Sequence, residues 1–354
     1  MAARYLPTPA FSHLFRRHLR LVLGGTSALA LALSAGCATE TVCSFDGDDV
    51  SEEDAVPWYC DGGTRYVLSE LGPSEDMGDG SMCADASYVA KTTAGAPCAV
   101  RPLPPGVVDG RPLMVDGDAR IAPVQRGGGW VVADGLQPLE AIERRFLGER
   151  WLRAAQYEHA SVASFARFTL DLMRFGAPPE LLAAAQNAGL DEVRHAELSF
   201  ALAARFLGET TEAGALDLGG SLDLAADLPS FAAEVFVEGC VGETLAAVRA
   251  AERRAVATDS QTQDVLDVLV RDEGAHAELA WRTVAWAIEV GGEPVRSAVL
   301  KASQGVRQAL GGAEAGPEGR LDALREFGVL APQREAAALV RAWDLVIAPA
   351  LDGL

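Results

Sequence analysis

The octets DEVRHAEL (191–198) and DEGAHAEL (272–279) repeat one pattern in two distant places. In each, a glutamate precedes a histidine by three positions, Glu192 before His195 and Glu273 before His276. On a helix, residues three apart lie on one face, so each pair presents a carboxylate and an imidazole to the same point. A single Glu-x-x-His is an ordinary surface pattern; two copies in the same Asp-Glu-x-x-His-Ala-Glu-Leu frame are not. The chain has only five histidines. His13 and His18 fall in a basic N-terminal stretch, which leaves His159, His195 and His276, and two of these three belong to the octets.

The octets sit in long Ala-, Leu-, Glu- and Arg-rich stretches of helical period that begin near Leu139. Four helices are predicted. The first spans about 139–175 and stops at Gly176-Ala177-Pro178-Pro179; the second follows those prolines and ends near Gly208. The third covers about 229–258, and the fourth about 261–290, closed by Gly291-Gly292-Glu293-Pro294. Between the second and third runs ETTEAGALDLGGSLDLAADLP (209–229), long enough to cross the length of a bundle. The expected fold is mainly α: a four-helix bundle over 136–292, with further helices at 295–310, 321–327 and 334–351 packing outside it as a 293–354 segment.

A bundle site for two ions needs one carboxylate from each of the two remaining helices. The first helix offers Glu158 in AAQYEHASVASFARF (154–168), on a stripe with Trp151, Ala154, Val162 and Phe165 that faces the core. A buried unpaired carboxylate is expensive, so Glu158 must meet a cation, a proton or a hydrogen-bond network. The third helix offers FVEGCVGETL (236–245), with Glu238 and Glu243 about 140° apart at about 100° per residue. Glu238 shares its side with Phe231, Val235, Val241 and Leu245, and Glu243 shares its side with Phe236 and Ala247. Glu238 is preferred, Glu243 is the alternative, and Glu234 is a weaker third option. Spacing agrees: Glu158 precedes Glu192 by 34 residues and Glu238 precedes Glu273 by 35, whereas Glu243 gives 30 and Glu234 gives 39. Cys240 reads as a buried core cysteine.

The set Glu158, Glu192, His195, Glu238, Glu273 and His276 resembles that of the ferritin-like di-iron carboxylate proteins. The third-helix stretch VEGCVGE (237–243) is similar to the corresponding stretch of the tRNA-modifying di-iron hydroxylases and the demethoxyubiquinone hydroxylases, where the first glutamate is the ligand. The resemblance covers about 138–290. It implies two iron ions, or manganese, with Glu158 and Glu238 as terminal ligands and Glu192 and Glu273 as bridges. Asp191 and Asp272 are candidates to hold the non-ligating N–H of a histidine, across the bundle. Tyr157 and His159 flank Glu158 and lie off the ligand face, as neighbours of the site.

The N-terminal part differs in kind. Arg4, Arg16, Arg17 and Arg20 precede the apolar run 21–33, which ends in Ser34-Ala35-Gly36-Cys37. That order is the order of a secretory signal, and it resembles a bacterial lipoprotein signal with Cys37 as the lipidated residue. The expectation is a signal over 1–37 and an exported protein held at the cell envelope by a lipid anchor. Residues 38–135 hold Cys43, Cys60, Cys83 and Cys98 among Gly, Asp, Ser and Pro, and read as a small irregular β module with two disulfides in any of three pairings. Short β-favouring runs follow at 112–115 and 120–124.

Charge narrows the function. The formal net charge is -20; removing residues 1–36 takes four arginines and no acid, leaving -24. Such a surface argues against nucleic acid as a partner. Three functions remain: an oxygen-activating oxidase or hydroxylase taking dioxygen and a small-molecule substrate, a ferroxidase or iron-binding protein taking ferrous iron, or a structural or interaction lipoprotein of the envelope. A substrate-sized apolar pocket beside the ions points to the first, an acidic channel to the second, and a closed site to the third.

Overall fold

The computed structural model describes residues 39–44, 59–60, 64–71, 75–76, 82–90, 110–115, 118–131, 137–139, 141–219, 223–311 and 324–354. The basic stretch with Cys37, and Cys98, lie outside these residues. The described chain is mainly helical with small sheets.

Helix α1 spans Ala141–Arg174 and α2 spans Pro179–Leu207. Pro179 opens α2, where a missing N–H costs nothing, and Gly208 closes it in the left-handed region at φ 78. Helix α3 (228–256) starts at Asp227, whose carboxylate accepts from the Ser230 amide at 2.8 Å. Helix α4 (Ser260–Gly291) starts at Asp259, which accepts from the Thr262 amide at 2.9 Å. These caps satisfy amides that a helix start leaves without partners. Helix α1 packs along α2, α3 packs along α4, and the two pairs meet through α2 and α4.

Two apolar clusters form the interior. One contains Phe165 and Phe168 of α1, Ala185 of α2, Phe231 of α3 and Trp281 of α4. The other contains Trp151 of α1, Phe206 of α2, Leu266 of α4 and Phe327. Along α1, α2 and α4 the chain passes from one cluster to the other through the charged residues Glu158, Glu192 and Glu273. A polar layer is thus enclosed between two dry ones, which raises the cost of any charge left uncompensated there.

Helix α3 is not a plain α-helix. Its middle, Val235–Glu243, is π-helical, between Leu228–Glu234 and Thr244–Val256. Two glycines let neighbours approach this wide turn. A Cβ on Gly239 would lie 2.5 Å from the Ala280 Cβ, and one on Gly242 would lie 2.6 Å from the Gly110 carbonyl oxygen. The first brings α3 against α4; the second admits the chain at Gly110 over α3.

From Gly110 that chain runs along the helices. Arg111, 4% exposed, places its guanidinium 4.2 Å from the Phe168 ring centre. The Arg167 guanidinium donates to the Met114 carbonyl at 2.9 Å, and the Gln156 amide donates to the Ala122 carbonyl at 2.8 Å. Of the short strands here, Met114–Val115 pairs with Asp118–Ala119, and Val124–Arg126 pairs with Thr211–Ala213 in the connection between α2 and α3. The part of the sequence read as the end of an N-terminal module therefore packs on the helices.

Upstream, strands β1 (Thr39–Ser44), β2 (Tyr59–Cys60), β3 (Thr64–Leu71), β4 (Glu75–Asp76) and β5 (Met82–Ala90) form an antiparallel sheet in the order β1-β5-β3-β2, with β4 also on β5. Cys43 and Cys83 are register partners across β1 and β5.

After α4, helix α5 spans Glu293–Gly311 and α6 covers 332–352, with its own π-turn at Trp343–Ile347. Glu252 of α3 receives Arg334 at 2.8 Å and Arg341 at 2.6 Å, and Arg249 meets Glu335 at 2.6 Å. These pairs dock α6 on α3. Among the described residues, no helix is long and apolar enough to cross a membrane.

Candidate metal centre

Four helices bring six donors together. Glu158 of α1, Glu192 and His195 of α2 and Glu273 of α4 form one group; Glu192, Glu243 of α3, Glu273 and His276 of α4 form the other. Within each group the donor atoms lie within 4.8 Å of one another, and each group could hold a metal ion. Glu192 and Glu273 belong to both. His276 Nδ1 lies 3.1 Å from Glu192 and 3.5 Å from Glu273; His195 Nδ1 lies 3.4 Å from Glu273 and 3.7 Å from Glu192.

The other imidazole nitrogens face outward. His195 Nε2 is 3.3 Å from Asp272, and His276 Nε2 is 3.3 Å from Asp191. An Nε2–H donated to a carboxylate leaves the Nδ1 lone pair directed at the centre, which is how histidine is prepared as a ligand. Asp191 and Asp272 thus each stand against the histidine of the other octet.

The inward atoms make a fit test. His195 Nδ1, His276 Nδ1, Glu192 Oε2, Glu273 Oε2 and both oxygens of Glu243 are buried without a hydrogen-bond partner. Glu243 is fully buried. In the chain alone, protons must substitute for cations. Burial, followed by the charges of Glu273 and Glu192, pushes the Glu158 and Glu243 carboxyls well above the usual range. Burial also opposes charge on the histidines and Glu273. Asp272 and Asp191, with the facing glutamates, outweigh it on the imidazoles and lift both, and the two imidazoles hold Glu273 low. Four carboxylates with two imidazoles are a donor set for a hard or intermediate divalent ion, and two such ions would offset the four negative charges.

The third-helix ligand requires a correction. Glu238 belongs to neither group. Its carboxylate takes the Arg167 guanidinium at 3.1 Å and Arg111 at 3.6 Å, so its charge is met there. Glu243, the alternative, is the third-helix carboxylate that joins Glu192, Glu273 and His276. Counting about 100° per residue assumes an α-helix, and the π-helical stretch between the two glutamates breaks that count with its i to i+5 bonding. Glu234 is also outside both groups, and Cys240 is buried in the apolar cluster.

Of the flanking residues, His159 packs edge-on against Trp130 at 5.6 Å and takes no part in either group; burial lowers its imidazole pKa. Tyr157 lines a cavity of about 240 Å³ that reaches Glu158 and Glu273. The walls carry what sequence reading passed over: Arg150 and Arg153 of α1, Arg249 and Arg253 of α3, and Glu335 of α6. The signal was available in RWLRAAQYE (150–158) and in the arginines six and ten residues after Glu243, all on ligand-bearing helices. It was hidden because arginines on helices are ordinarily solvated.

No family model, no curated protein and no solved structure matches the chain.

Proposed function

We propose that this chain is a ferritin-like four-helix di-iron protein that uses dioxygen to oxidise a small substrate, exported and held at the envelope through Cys37. The two overlapping groups of donors support a pair of ions bridged by Glu192 and Glu273, with Glu158 and Glu243 as end ligands. When bound in its reduced form, such a pair supplies electrons to dioxygen. The chain's own work is to hold both imidazoles by their Nε2 atoms, to keep water out with the two apolar clusters, and to leave one approach open at Glu158 and Glu273.

The observation that carries the oxidase or hydroxylase reading is the cavity. It reaches the ligands, which a purely structural site would not need, and its walls carry four arginines, with Glu335 the one lining acid outside the metal groups. An arginine-lined approach repels ferrous iron, so a route for iron uptake is disfavoured.

The test is metal content after anaerobic reconstitution with ferrous iron, followed by oxygen consumption, for the wild type and a Glu192→Ala, Glu273→Ala double variant. About two irons per chain, absent from the variant, with oxygen uptake in the wild type, is the expected result. A wild type that retains no iron sinks the reading. Oxygen uptake that continues only while fresh ferrous iron is supplied would replace the oxidase with a ferroxidase.

A further inference from the structure

The cavity beside the centre has a composition at odds with the rest of the molecule. In a chain of net charge -20, Arg150, Arg153, Arg249 and Arg253 converge on one space of about 240 Å³. The acids on its wall are Glu158, Glu273 and Glu335. Glu158 and Glu273 belong to the metal groups, and Glu335 is the remaining acid among the lining residues. It is engaged with Arg249 at 2.6 Å.

We propose that this cavity binds a small organic anion, its carboxylate or phosphate held by Arg150, Arg249 and Arg253 and its apolar part directed at the metal centre. Calling that anion the substrate rests on the proposed function; the binding itself does not.

Three observations support the assignment. First, the arginines are built into the site. Arg249 is 3% exposed, Arg253 lies with its guanidinium 4.5 Å from the Trp151 ring centre while its Nε donates to the Gly328 carbonyl, and Arg150 Nε is buried without an acceptor. Second, the cluster repels itself. Burial, then the charge of Arg150, pushes Arg253 down to about 9, and an oxyanion among them would relieve both costs. A guanidinium fork matches a carboxylate or phosphate edge with two parallel hydrogen bonds. Third, the remaining wall includes Trp151, Ala154, Ala246, Ala250 and Leu269, an apolar surface for a carbon skeleton. The volume is below the roughly 300–1,000 Å³ of pockets for drug-sized ligands, which calls for a compact molecule. The helices set the orientation: Arg249 and Arg253 follow Glu243 on α3, and Arg150 precedes Glu158 on α1, so one end of the cavity is cationic and the other meets the ligands.

The test is calorimetric titration of the iron-loaded full chain with inorganic phosphate and, separately, benzoate, repeated on Arg150→Gln and Arg253→Gln, with metal content and melting temperature measured on every sample. The expected result is saturable binding of at least one anion, one per chain, weakened about tenfold or more in each variant, the scale of one charge-assisted hydrogen bond. Metal content should be unchanged by the substitutions. If Arg253→Gln fails to fold, Arg150→Gln decides. Iron-loaded wild type that binds neither anion, or variants that bind as well as wild type, would overturn the pocket and leave the centre standing. Anion binding by a chain that takes up no iron would uphold the anion site and overturn the proposed function.

Discussion

His195 Nε2 lies 3.3 Å from Asp272, which belongs to the other octet and the other helix pair. The relation is reciprocal, since Asp191 stands at the same distance from His276. Each aspartate orients an imidazole it does not share a helix with. Asp272→Asn is therefore expected to weaken metal binding about 10–100-fold, the usual effect of losing the partner that orients a ligating histidine. Competition against a chelator measures this; an unchanged affinity would mean that the pairing does not prepare His195.

Glu243 and Glu238 make opposite predictions. Glu243→Ala removes a donor from one group and should lower metal content while raising stability of the unloaded chain, because a fully buried carboxyl without partners is gone. Glu238→Gln should keep its metal and lose about 3 kcal/mol of stability, since Arg111 and Arg167 then lack their counterion. Metal analysis and urea denaturation of the two variants separate these roles.

The α4 start gives a pH prediction. Asp259 accepts both Arg205 terminal nitrogens at 2.7 Å and caps the helix through Thr262. Burial opposes its ionisation, but Arg205 and the Thr262 hydrogen bonds hold the carboxyl down at about 2, below its ordinary 3.8. A depressed carboxylate contributes stability above its ordinary value, and that contribution disappears as pH falls from about 4 towards 2. Asp259→Ala should cost about 2 kcal/mol at pH 7, at the upper end for a lost cap, with the gap to wild type narrowing below pH 4. A gap independent of pH would remove the ion pair from the account.

Much of this arrangement was legible in the sequence, and the failures have a common origin. Glu-x-x-His needs only local helical geometry, so Glu192, His195, Glu273 and His276 could be brought together from spacing alone, and Glu158 from its apolar stripe. The third-helix ligand depended on the pitch of the chain between 235 and 243, which two glycines and a run of valines do not announce. Arg167 and Arg111 were invisible for another reason: they meet Glu238 from 71 residues and more away. Helix ends were readable where Pro179 and Gly208 each act on their own neighbours.

The wide turn in α3 also fixes how the centre and the cavity relate. Glu243 at its end, and Arg249 and Arg253 beyond it, are carried by one continuous helix. Ordinary α-helical pitch over 235–243 would turn all three side chains together relative to Phe231 and the helix start. The wide turn thus acts as a dial, aiming a ligand and two cations at the same interior space at once.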